Sequence, residues 1–156
     1  MRVAKEILYD VITNTILLDN LLNEIIRTSF GLEPDWHPVE EVILNKKELE
    51  RFDRFFLQDL GASSKMKLIK EIIKEDYLEK IILPNDFDNK FLKFYKIRNI
   101  FAHSLYPKRV GKKEMPNYLP NDAKWEDLHD EHSNIFKELN DFLINNLYMK
   151  LRLDDV

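Results

Sequence analysis

The chain has 156 residues, no cysteine and a formal charge of −4, with 44% hydrophobic and 33% charged residues. That length and mix suit one soluble domain, predicted over residues 1–156, with a real core, and are unlike those of a disordered chain. Disulfides, thiolate–zinc sites and cysteine nucleophiles are excluded. Met1-Arg2-Val3-Ala4-Lys5-Glu6 lacks the apolar run and cleavage site of a signal peptide, and no stretch approaches the roughly 20 uninterrupted apolar residues of a membrane span. A cytoplasmic protein without membrane partners is expected.

The punctuation predicts helices. Gly31, Gly61 and Gly111, with Pro34, Pro38, Pro84, Pro107, Pro116 and Pro120, all lie between periodic segments, where glycine ends helices and proline cannot continue them. The first helix is predicted from about Val3 to Phe30, with Ile7, Leu8, Val11, Ile12, Leu18, Leu22, Ile25 and Ile26 at helical spacing. A second covers roughly Lys46 to Leu60. A third starts near Ser63 or Ser64, both good N-caps, carries Met66, Ile69, Ile72, Ile73 and Leu78, and is expected to break near Asp76. The fourth begins at Asn85 or Asp86, contains Phe87, Phe91, Phe94, Tyr95, Ile97, Ile100, Phe101 and Leu105, and ends at Pro107. A polar loop, Lys108 to Asn121, precedes a last helix capped by Asp122 with the stripe Trp125, Leu128, His132, Ile135, Leu139, Phe142 and Leu143. No segment alternates with period two, so the fold expected is an all-α bundle of about five helices.

The fourth helix carries the chemistry. Arg98-Asn99-Ile100-Phe101-Ala102-His103 places a fixed cation, an amide and a titratable imidazole within six residues. At about 100° per residue, Arg98, Ala102, Asn99 and His103 share one arc of roughly 140°. Core packing does not call for Arg, Asn and His together, and a phosphate is the obvious ligand. The surrounding charge agrees. From Lys90 to Lys113 no acidic residue occurs, while Lys90, Lys93, Lys96, Arg98, Lys108, Arg109, Lys112 and Lys113 are all basic, in a chain with 24 basic and 28 acidic residues. Segregation on that scale is an electrostatic footprint for an anion. The competing reading is a solvated lysine face and an exposed loop.

The sub-pattern Ile97-Arg98-Asn99-x-Phe101-Ala102-His103-Ser104, near the end of a helix in an all-α chain, resembles the Arg-Asn-x-x-Ala-His form of the HEPN superfamily. The layout is also similar: a long first helix, an amphipathic helix containing Lys-Leu-Ile-Lys, the motif helix and a long closing helix. The resemblance implies a metal-independent, cofactor-free endoribonuclease of a toxin–antitoxin or phage-defence system. Its catalytic residues would be Arg98, Asn99 and His103, at a cleft formed across a homodimer. An antitoxin or a nucleotidyltransferase is the implied protein partner. The tyrosine that such a nucleotidyltransferase modifies would fall at Leu105, however, and the nearest tyrosine here is Tyr106. Some relatives, including mannitol-repressor-like proteins, lack the catalytic pair and act as dimerising, partner-binding or regulatory modules.

The residue chemistry fits RNA cleavage. Histidine exchanges protons near neutrality, as base for a 2′-hydroxyl or acid for the leaving 5′-oxygen, and the planar guanidinium matches phosphate oxygens. One chain supplies one Arg–His pair, so a two-fold dimer is required to surround a phosphate with two. Lys96, Tyr106, Lys108, Arg109, Lys112 and Lys113 are the candidate RNA-binding residues. The alternative is structural: Arg98 paired with a carboxylate and His103 at the end of its own helix. His129 and His132 have metal-compatible spacing but no second pair, and read as a solvated histidine beside a half-buried one; no metal is expected. Asp53 and Asp59 are candidate orienting carboxylates.

Overall fold

The computed structural model describes residues 4–30, 47, 50–74, 81–105 and 122–153; at 4–5, 103–105, 122–124 and 152–153 it describes the backbone alone. The protein is an all-α helical bundle, and no strand occurs among the described residues. The helices are α1 (Ala4–Ser29), α2 (residues 50–55), α3 (Ala62–Lys74), α4 (Phe87–Leu105) and α5 (Asp122–Leu143). A short 3₁₀ turn, Leu57–Asp59, follows α2, and a π-helical segment, Ile144–Tyr148, leads from α5 into α6 (Met149–Leu153). Among the described residues no helix is long and apolar enough to cross a membrane.

The helix ends follow from local hydrogen bonding. The amide of Lys90 donates to the Asp86 carbonyl at 2.9 Å, so Asp86 occupies the N-cap of α4, as expected from its sequence. The start of α3 differs from expectation. The amide of Lys65 donates to the Gly61 carbonyl at 3.0 Å, which places Ser63 and Ser64 inside the first turn and not at the cap. In α1 the polar interruptions are absorbed by back-bonding: Thr15 Oγ1 donates to the Val11 carbonyl at 2.7 Å and Thr28 Oγ1 to the Glu24 carbonyl at 2.8 Å.

The chain divides into two compact units. One comprises Met1–Leu18 and Leu83–Asp141. Its core is the α4 stripe Phe87, Phe91, Phe94, Ile97 and Phe101, with Ile135 and Leu139 of α5 and Ile7 and Val11 of α1, all buried. Helices α4 and α5 run antiparallel, because partners rise along one as they fall along the other: Lys90 with Glu138, Lys93 with Glu131, Phe94 with His132, Phe101 with Trp125. Ile12 does not join this core. It is exposed, with Tyr9, Ile16 and Leu17, on the outer side of α1.

The other unit comprises Asp19–Ile82 and Phe142–Val156. Leu22, Ile25 and Ile26 of α1 are buried here, as are Leu57, Met66, Ile69, Ile73, Leu143, Leu147 and Leu151. The closing stripe therefore runs past Leu143 through the π segment. There the Asn146 side-chain amide donates to the Phe142 carbonyl at 3.1 Å, and the wide turn is of the kind single-turn π segments introduce.

Candidate active site

Helix α4 sets the orientation of the motif through its apolar anchors. Ile97 and Phe101 are 2% and 1% exposed, and Phe101 packs on Trp125 with ring centroids 4.7 Å apart. Pinned by those two residues, the helix leaves Arg98 half-buried and turns Asn99 and Ala102 to the exterior. The arc predicted for Arg98, Asn99 and Ala102 is thus open at its small residue. His103 continues the helix one residue beyond Ala102. Its imidazole lies outside the described residues, as do Tyr106, Lys108, Arg109, Lys112 and Lys113.

Arg98 is not neutralised by a carboxylate among the described residues. Its guanidinium carbon lies 5.9 Å from the centroid of the Tyr95 ring, one helical turn earlier. Its Nε is buried with no hydrogen-bond partner among the described residues. A buried N–H on an ionised fork is costly unless something accepts from it. Tyr95, expected only as a member of the apolar stripe, is the positioning neighbour of the guanidinium; the i, i+3 spacing was the available signal.

The basic window is less free than its sequence suggests. Lys90 is bound by Asp86 at 2.8 Å and by Glu138, and Lys93 by Glu131. Asp86 and Glu138 hold the Lys90 ammonium above its ordinary range, with Asp86 the larger influence, and Lys90 in turn holds the Asp86 carboxyl below its own. Lys96 is exposed and has no carboxylate partner among the described residues. The described part of the footprint therefore narrows to Lys96 and Arg98.

Asp53, a candidate orienting carboxylate, is paired with Arg27: its two oxygens accept from Nε at 2.7 Å and Nη2 at 2.9 Å. Asp59 is exposed at the end of the 3₁₀ turn. The expectation of a solvated histidine beside a half-buried one is corrected, because both residues are buried: His129 is 6% and His132 0% exposed. His129 Nε2 lies 2.9 Å from Asp10 Oδ2 and Nδ1 lies 3.3 Å from Asp130 Oδ1. His132 is stacked on Phe94, with Nε2 3.5 Å from Thr15 Oγ1 and Nδ1 unpartnered among the described residues. Burial, and then the neighbouring His129, lower the His132 pKa to about 4. Among the described residues no group of three or more His, Asp or Glu side chains is placed to hold a metal ion.

Comparison with known proteins yields no match: no family model, no curated protein and no solved structure is similar to this chain.

Proposed function

We propose that the protein is a metal-independent endoribonuclease of HEPN type, a cytoplasmic homodimer of a toxin or phage-defence system that cleaves RNA by 2′-hydroxyl attack. The observation that carries this reading is Arg98: half-buried, seated over Tyr95, free of a carboxylate among the described residues, and with its buried Nε still in need of an acceptor. A phosphate oxygen is such an acceptor, and charge-assisted bonds of that kind are the strong ones. Asn99 and Ala102 leave the same helix face open for the ligand.

In this mechanism His103 moves the proton of the 2′-hydroxyl or of the leaving 5′-oxygen, the guanidinium stabilises charge at phosphorus, and Asn99 orients a phosphate oxygen. The second histidine and arginine come from the twin copy. The products carry 2′,3′-cyclic phosphate ends.

The test is incubation of the purified chain with total RNA in EDTA. Cleavage is expected, falling about 100-fold or more in both Arg98→Ala and His103→Ala while folding persists. No cleavage across several RNAs, or cleavage equal to the parent by both variants, would remove the proposal. A second reading, a non-catalytic dimerisation and partner-binding module, is favoured by a different observation. Tyr9, Ile12 and Ile16 form an exposed apolar line along α1, at 70%, 43% and 54% exposure, and such lines mark protein-binding faces.

A further inference from the structure

The second compact unit carries its own concentration of cations that have no carboxylate partner among the described residues. Lys47, Glu50, Arg51, Arg54 and Phe55 line an open cavity of about 320 Å³. At 100° per residue their sequence positions fall on one arc of a helix. Lys47, Arg51 and Arg54 have no carboxylate within ion-pair distance among the described residues. Arg27, Lys65, Lys74, Lys90 and Lys93 each have one. The carboxylate of Asp53, on the same short helix, is engaged by Arg27 and does not offset the cations. Among the described residues lining the cavity, Glu50 is the one carboxylate that opposes them.

The cavity is also lined by an aromatic ring, that of Phe55. Phe55 is 69% exposed, with the Arg54 guanidinium 5.6 Å from its ring centroid. Cations alone would suit any anion. Cations beside an exposed ring suit an anion that brings a flat apolar surface with it, which is a nucleotide: phosphate on the guanidinium, base on the ring. The volume lies at the small end of ligand pockets, the scale of one nucleotide.

We propose that the Lys47–Arg51–Arg54–Phe55 face is a binding surface for single-stranded RNA that holds a phosphate and a stacked base of the substrate. The choice of RNA rests on the nuclease reading; the surface itself rests on charge and exposure in α2. Arg51 and Arg54 contact phosphate, and Phe55 stacks one base.

The experiment measures binding of a labelled 12-nucleotide single-stranded RNA to the full chain carrying His103→Ala, in EDTA, at several salt concentrations. Adding Arg51→Glu with Arg54→Glu is expected to weaken binding at least tenfold and to flatten the salt slope by about 1.4, or 0.7 for each phosphate no longer neutralised. Adding Phe55→Ala is expected to weaken it about fivefold or more with the slope unchanged. All three side chains are exposed, so circular dichroism should show an intact fold. Unchanged affinity in both variants overturns the proposal. So does RNA binding indifferent to Phe55→Ala but displaced by polyglutamate, which would assign the face to an acidic protein. Without cleavage by the unsubstituted chain, but with these reductions in binding, the nuclease reading falls and the surface stands; cleavage with unchanged binding gives the reverse.

Discussion

The imidazole of His132 lies flat against the ring of Phe94, with centroids 4.0 Å apart and planes 16° from parallel. It is fully buried, its one long polar approach among the described residues is to the Thr15 hydroxyl, and the neighbouring His129 is itself held by Asp10 and Asp130. With its pKa near 4 in the folded protein and about 6.5 unfolded, it is neutral in the fold, and unfolding takes up a proton below pH 6.5. Its contribution is therefore fully present above pH 6.5 and is lost as pH falls toward 4. Urea unfolding is expected to show about 2 kcal/mol less stability at pH 5 than at pH 7 from this group. His132→Phe should remove that part of the slope; an unchanged slope would refute the assignment.

Arg27 and Asp53 form a two-point contact in which each guanidinium N–H meets its own carboxylate oxygen. Asp53→Asn keeps the shape but loses the charge assistance, with an expected loss of about 1–2 kcal/mol in urea. Because Asp53 serves Arg27, RNA cleavage by this variant is expected to match that of the parent at saturating substrate.

Lys65 is 5% exposed and held by Asp19 at 2.9 Å. The two partners are not equivalent. Asp19→Ala leaves a buried ammonium unpaired and is expected to cost about 2–3 kcal/mol, whereas Lys65→Met replaces it with an apolar chain of similar length and should be near neutral. Thermal denaturation of both variants checks the asymmetry, and equal losses would contradict it.

Arg98→Lys retains a cation near Tyr95 but has neither a buried Nε nor a planar fork. Under the proposed mechanism, cleavage is expected to fall about 100-fold with stability changed by less than about 1 kcal/mol. Kinetics on a single labelled substrate, with a parallel melting curve, separate the two effects.

The helices were legible because their apolar residues recur at helical spacing and glycine and proline lie between them, and Phe87, Phe91, Phe94, Ile97 and Phe101 are buried as a stripe. Spacing does not say which flank of a broad stripe meets a neighbour, so Ile12, expected inside, stands exposed. His129 looks solvated in sequence because it sits off the apolar line of its own helix. Its burial depends on the Asp10 carboxylate, 119 positions earlier. The serines suggest the start of α3, but the backbone carbonyl of Gly61 takes the first bond.

From residue order alone came the helical class and the grouping of Arg98, Asn99 and Ala102 on one arc, since both are set by a local backbone period. Which cations remain available was decided only by the folded chain. Glu131 and Glu138 are dozens of residues from Lys93 and Lys90, and Asp53 is 26 residues from Arg27. Ion pairs of that kind depend on helices lying side by side, and charge falls off with distance in space rather than along the sequence.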